Sequence, residues 1–129
     1  MTEQTKSGSL LDARPLHILV LLLLAIAFFW PVVIDPEALI YPSYSSFSDL
    51  TVTHWPNAHF LSSSYDTFRQ LPLWKDTILS GMPAIANPLA MMYYPPNFLF
   101  LRLPIDAVFN LLTLAHIFVS GLGMYLFLR

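Results

Sequence analysis

Few residues in this chain can do chemistry, and their spacing narrows what that chemistry is. There are eight acids, six Lys or Arg, four His and no Cys. Without Cys there is no disulfide framework, no thiolate metal site and no thiol nucleophile. His54 and His59 are five apart. That spacing does not put both on one helical face as metal ligands, so a zinc site is not expected. No phosphate-cradling Gly-rich loop, dinucleotide fingerprint or nucleophile elbow occurs. What remains is two acids amid aromatics, Asp49 and Asp76, three scattered cations, Arg69, Lys75 and Arg102, and His116 inside an apolar run. A carboxylate serves as a general base if it lies within hydrogen-bond reach of a hydroxyl. Each residue also has a plain structural reading. Asp49 or Ser48 is a good helix N-cap before Leu50-Thr51-Val52. Asp76 pairs with Lys75 or caps a turn, and Asp66 with Arg69 makes a surface pair. The three cations bind lipid phosphate or snorkel to headgroups. His116 is a functional candidate or a hydrogen-bond partner for a neighbouring helix.

The elements that position these residues follow from the apolar pattern. The chain has 129 residues, of which 56% are hydrophobic and only 11% charged, with a mean hydropathy of +0.60. Soluble domains carry roughly 25% charge, so a soluble enzyme, a nucleic-acid binder and a disordered tail are excluded. The net charge of −2 supplies no basic patch for nucleic acid. Residues 18–34 hold no charge, and with Leu16 and His17 the run reaches a length that just spans roughly 30 Å of hydrocarbon. Residues 107–128 form a second uncharged run, closed by Arg129 as an interfacial anchor. The spacing therefore predicts an all-α integral membrane protein. A cytoplasmic tail occupies 1–15, a first transmembrane helix 16–34, an external loop 35–105 and a second transmembrane helix 106–128. Glu3, Asp12 and the absence of a small-residue cleavage pattern disfavour a cleaved signal peptide. Lys6 and Arg14 are dense before the first run, which places the N-terminus inside and the loop outside.

The loop holds nine of the 11 prolines and 12 of the 19 aromatics, among them Tyr41, Tyr44, Trp55, Trp74, Tyr93 and Tyr94. That much proline forbids one continuous helix. Short interfacial helices are expected at 49–70, with a break near Pro56, and at 73–79, closed by Gly81, with a brief turn at 97–103. The aromatics suit a belt at headgroup depth or stacking on sugar rings. In the second run Asp106, Asn110, Thr113, His116, Ser120 and Gly123 share an arc of roughly 140°. Such a face needs protein neighbours or a wet cavity. It implies an N-terminal fragment of a larger multi-span protein, or a two-span protein that oligomerises.

The order of short elements resembles a known family. After the first run come Ser48-Asp49-Leu50, Trp55-Pro56, Leu71-Pro72-Leu73-Trp74-Lys75-Asp76 and Ser80-Gly81-Met82-Pro83. Asn87-Pro88, Tyr93-Tyr94-Pro95-Pro96-Asn97 and Gly121-Leu122-Gly123-Met124-Tyr125 follow. This is similar to the N-terminal part of YfhO-like bacterial membrane proteins, which resemble the C-type (GT-C) membrane glycosyltransferases. The likeness covers residues 48–129 and the preceding run. It departs where Ser48 replaces the Gly usual before the acid, and in the many further spans such proteins have.

The resemblance implies a multi-span GT-C-like fold and a sugar transfer from a polyprenyl-phosphate carrier to an acceptor at the outer face of the membrane. It implies Asp49 as general base, with Asp76 as a second acid. Arg69, Lys75, Arg102, Trp74 and Tyr94 are the implied substrate contacts. Membrane lipid, a lipid-linked sugar and the remaining transmembrane helices are the implied partners. Some C-type enzymes use a divalent cation and others none, and no residue here selects between them. A non-enzymatic scaffold or a transporter subunit, with the polar face of the second run lining a path, is the competing reading.

Overall fold

The computed structural model describes residues 14–35, 37–38 and 47–128. The tail up to residue 13, Tyr41, Tyr44 and Arg129 lie outside the described residues. The described chain is mostly helical, with one two-stranded sheet. Its elements are α1 (Arg14–Phe28), α2 (Trp30–Ile34), a π-helical turn (Leu50–His54), α3 (Trp55–Phe68), β1 (Trp74–Lys75) and β2 (Met82–Pro83). Two 3-10 helices (Pro88–Ala90 and Pro95–Leu101) and α4 (Ile105–Phe127) complete it.

The first apolar run is not one helix. It breaks at Phe29, whose φ and ψ are −97° and 19°. Pro31 is the cause, because it has no N–H to give the preceding turn and its ring crowds the carbonyl four residues back. Beyond the break, Val32 N–H and Val33 N–H both donate to Phe29 O. At 15 residues α1 is apolar but short. Among the described helices α4, with 23 residues, is the one long and apolar enough to cross a membrane.

The α1–α2 pair runs antiparallel to α4. His17 Nδ1 meets the Tyr125 hydroxyl at 3.1 Å. Gly121 faces Leu21, with room left for a Cβ 3.8 Å from Leu21 Cδ2. Further along, Phe29, Val32 and Val33 line a groove shared with Ala107 and Leu111. Both helices also expose apolar side chains, such as Leu23 at 54% on α1 and Phe127 at 83% on α4.

The loop folds into a body around α3. On one side Ala58 packs with Phe100 and Val108, joined by Ile105 and Phe109. On the other, Leu61 packs with Ala84 and Met92, joined by Phe60 and Leu71. The first half of α4 thus belongs to the loop body's core. Prolines open the short helices: Pro88 follows Asn87, whose Oδ1 accepts from Leu89 N–H at 3.0 Å, and Pro95–Pro96 start the longer 3-10 helix. The helix is not broken near Pro56 as expected: His54 and Trp55 are both αR and the π turn runs on into α3, with Trp55 N–H reaching Leu50 O.

One predicted helix is replaced. Residues 73–79 do not form a helix; Trp74 pairs with Pro83 and Lys75 with Met82 in an antiparallel hairpin. Pro72 pushes Leu71 toward extended backbone, and Ala84 N–H donates to Leu73 O at 2.9 Å. The turn has Leu79 and Ser80 at φ 52° and 62°, and Gly81 N–H donates to Ile78 O. The turn expected at 97–103 is the 3-10 helix Pro95–Leu101.

Candidate functional site

Asp49 stands at the head of the π turn. Helix starts need acceptors for their free N–H groups, and here Ser48 and Thr51 meet that need. Thr51 N–H donates to Ser48 Oγ, and Ser48 N–H to Thr51 Oγ1, both at 3.3 Å. This reciprocal cap resembles a capping box with Thr in place of Glu. Asp49 is therefore not the cap: its side chain makes no capping hydrogen bond and it is exposed. Its carboxylate is left for solvent or for a ligand.

The other predicted residues do not gather around it. Trp74 and Asp76 lie in a separate open cleft of about 570 Å³, between the second half of α3 and the segment 70–76. Phe60, Ser64, Phe68 and Gln70 share its lining. Counting about 1.5 Å of rise per residue, Phe60 is roughly 16 Å along the helical rod from Asp49. The cleft and Asp49 are thus two distinct features of one surface.

Lys75 corrects an expectation. Neither paired with Asp76 nor open to lipid phosphate, it is 6% exposed. The alternation of a two-residue strand turns Trp74 out and Lys75 in. Its Nζ donates to Asn57 Oδ1 at 3.2 Å and lies 5.0 Å from the centre of the Phe60 ring. A buried ammonium needs such partners, so this Lys holds the hairpin onto α3.

Tyr94 is also committed. His116 Nδ1 bonds Leu112 O, which only an N–H can do, so Nδ1 carries a proton, and Nε2 shares a hydrogen bond with the Tyr94 hydroxyl. The His116 contact is with the loop and its own helix. Arg69 ends α3 at φ 54° and lies over the Tyr65 ring, 5.9 Å from its centre, in place of the expected pair with Asp66. Arg102 is exposed at the end of the longer 3-10 helix. Neither Arg lines the cleft.

The polar face of α4 is satisfied unevenly. Asp106 Oδ1 accepts from Trp55 Nε1 at 2.8 Å, and Asn110 Nδ2 donates to Ala38 O at 2.8 Å. Thr113 bonds back to Phe109 O, while Ser120 and Gly123 are exposed. His59 stacks on Trp55, with centroids 5.3 Å apart at 18°. Buried His54 Nδ1 has no hydrogen-bond partner among the described residues. No cluster of three or more His, Asp or Glu suited to a metal occurs among them.

Asn57, Ser64, Gln70 and the two Phe of the cleft were not singled out by the sequence. Gly81, read from the sequence as a helix stop and as part of Ser80-Gly81-Met82-Pro83, carries a further usable signal. A Cβ there would fall 2.4 Å from Trp74 Nε1, so a glycine seven residues after a Trp marks the seat of that indole. No family model matches this chain, and neither a curated protein nor a solved structure matches it.

Proposed function

We propose that this chain is the N-terminal part of a C-type membrane glycosyltransferase, with α1–α2 and α4 as its first two spans. On this reading the loop body lies at the outer face of a multi-pass protein in the cell membrane. The antiparallel helices and their exposed apolar sides support two spans set in lipid, with further helices of the same protein against the polar face of α4. The likeness to YfhO-like proteins supports the activity, since its order of elements runs through the loop body.

The observation that carries the proposal is the Asp49 carboxylate, freed from capping by Ser48 and Thr51. As general base it takes the proton of an acceptor hydroxyl while that oxygen attacks the anomeric carbon. The bond from that carbon to the carrier phosphate breaks, and the phosphate leaves with the electron pair. One base suffices for an inverting displacement, because a phosphate is already a good leaving group. A transporter reading would use His116, which is exposed but has both ring nitrogens already hydrogen-bonded within the chain.

The test is Asp49→Asn in the intact protein in membranes, supplied with radiolabelled polyprenyl-phosphate sugars. Transfer to membrane acceptor should fall by a hundredfold or more, with protein level and insertion unchanged. Full transfer by the variant contradicts the proposal.

A further inference from the structure

The cleft beside α3 has a composition that the transfer step does not use. Phe60, Phe68 and Trp74 give it aromatic surface, and Ser64, Gln70 and Asp76 give it hydrogen-bonding groups. A pyranose ring has the matching two-sided character. Its C–H faces are apolar and pack on aromatic rings, while the hydroxyls around its rim need a carboxylate, an amide or an alcohol. The volume of about 570 Å³ is in the range of small-molecule sites.

Trp74 is both exposed and fixed. It is 57% accessible, yet one side of its indole rests on Gly81. Gly81 has φ +112°, and a Cβ there would lie 2.4 Å from Nε1 and 2.8 Å from Cε2 and Cζ2. Only glycine permits both that backbone and that approach. A platform held in place before binding loses little entropy when a ring settles on it.

Charge separates the two sugars of the proposed reaction. No Lys or Arg lines the cleft, and Asp76 does. A sugar still joined to its phosphate carrier would bring a negative charge beside that carboxylate. A neutral acceptor sugar brings none. Distance then sets the acceptor's size. Asp49 lies roughly 16 Å along the helical rod from Phe60, and farther from Phe68. A ring in the cleft is therefore not the ring whose hydroxyl reaches Asp49.

We propose that this cleft holds a remote ring of an extended neutral glycan, so that the acceptor is an oligosaccharide or polymer. This rests on the transferase reading for the word acceptor, while binding of a neutral saccharide is independent of it.

The experiment uses the full-length protein in nanodiscs, free of sugar-headed detergent. Maltotriose, chitotriose and mannotriose are titrated by calorimetry, with phosphatidylglycerol vesicles as the competing probe. At least one trisaccharide should bind, Trp74→Ala should weaken it about tenfold, and Asp49→Asn should bind like the wild type. Asp76→Asn, a change at an exposed residue, provides the second variant if Trp74→Ala fails to fold, and should also weaken binding. No binding of any trisaccharide overturns the proposal. So does binding unmoved by the cleft variants, or a Trp74 effect seen only on vesicles. Saccharide binding with full transfer by Asp49→Asn sinks the base assignment and leaves the cleft. Loss of transfer in Asp49→Asn without saccharide binding does the reverse.

Discussion

Around α3 the chain has a buried core, whereas α1 and the second half of α4 have almost none. Val108 is fully buried and Leu61 and Phe100 nearly so, and the polar groups among them, Lys75, Asn57 and Asn97, are equally enclosed. Each of these polar groups has a partner, Asn57 for Lys75 and Met91 O for Asn97. The loop body also exposes apolar side chains such as Phe68 and Leu73, but Leu24, Val119, Leu126 and Phe127 stand exposed with no such core behind them. Apolar exposure along a helix suits an apolar surrounding, and the proposed reading sets these two helices in lipid. The loop body has a packed core of its own; on the proposed reading the helices rely on lipid. Asp49 and the cleft both belong to the loop body, which the proposed reading turns to water, where hydroxyls and charges can arrive.

The widest gap between the two regions should appear on truncating an aromatic. Phe100→Ala should destabilise the loop body by about 3–5 kcal/mol, read as a lower unfolding midpoint in nanodiscs. Phe28→Ala, at a side chain 78% exposed that the proposed reading sets in lipid, should move that midpoint little. Equal losses would erase the distinction. Next is the buried amine. Asn57→Leu leaves the Lys75 ammonium without its oxygen and should cost about 2–3 kcal/mol. Lys75→Met removes charge and need together and should cost less than about 1.5 kcal/mol. The reverse order would mean that Lys75 has another partner. The link between the regions comes third. Trp55→Phe removes the indole N–H from Asp106 and should cost about 1.5 kcal/mol, with Asp106→Asn milder because an amide oxygen still accepts. Smallest is the hairpin turn. Leu79 is left-handed and 88% exposed, so Leu79→Asn should raise stability by about 1 kcal/mol.

The sequence makes α4 legible because its uncharged run is long, and marks Pro56 because proline's missing N–H is a local fact, although the helix shifts register there without breaking. Pro31 carries the same information for Phe29, and its consequence is hidden only when the apolar run is read by length alone. The hairpin at Trp74 and Met82 is different. Two-residue strands carry no period, so nothing local separates them from a short helix. Whether Lys75 points in or out depends on Asn57, 18 positions earlier. The cleft likewise joins Phe60 and Ser64 to Trp74 and Asp76 across a turn. Asp49 was legible as a candidate, but its release from capping depends on the side-chain geometry of Ser48 and Thr51.

The most direct measurement of the division between water and lipid uses the absence of cysteine. Thr67→Cys places a thiol on exposed α3, and Val119→Cys places one on the exposed face of α4. Intact cells are treated with a membrane-impermeant maleimide, then dissolved in detergent. Thr67→Cys should label in intact cells, and Val119→Cys should stay unlabelled until the membrane is dissolved. Equal labelling of the two in intact cells, or a Thr67→Cys thiol that waits for detergent, contradicts an outward-facing loop body carried on helices set in lipid.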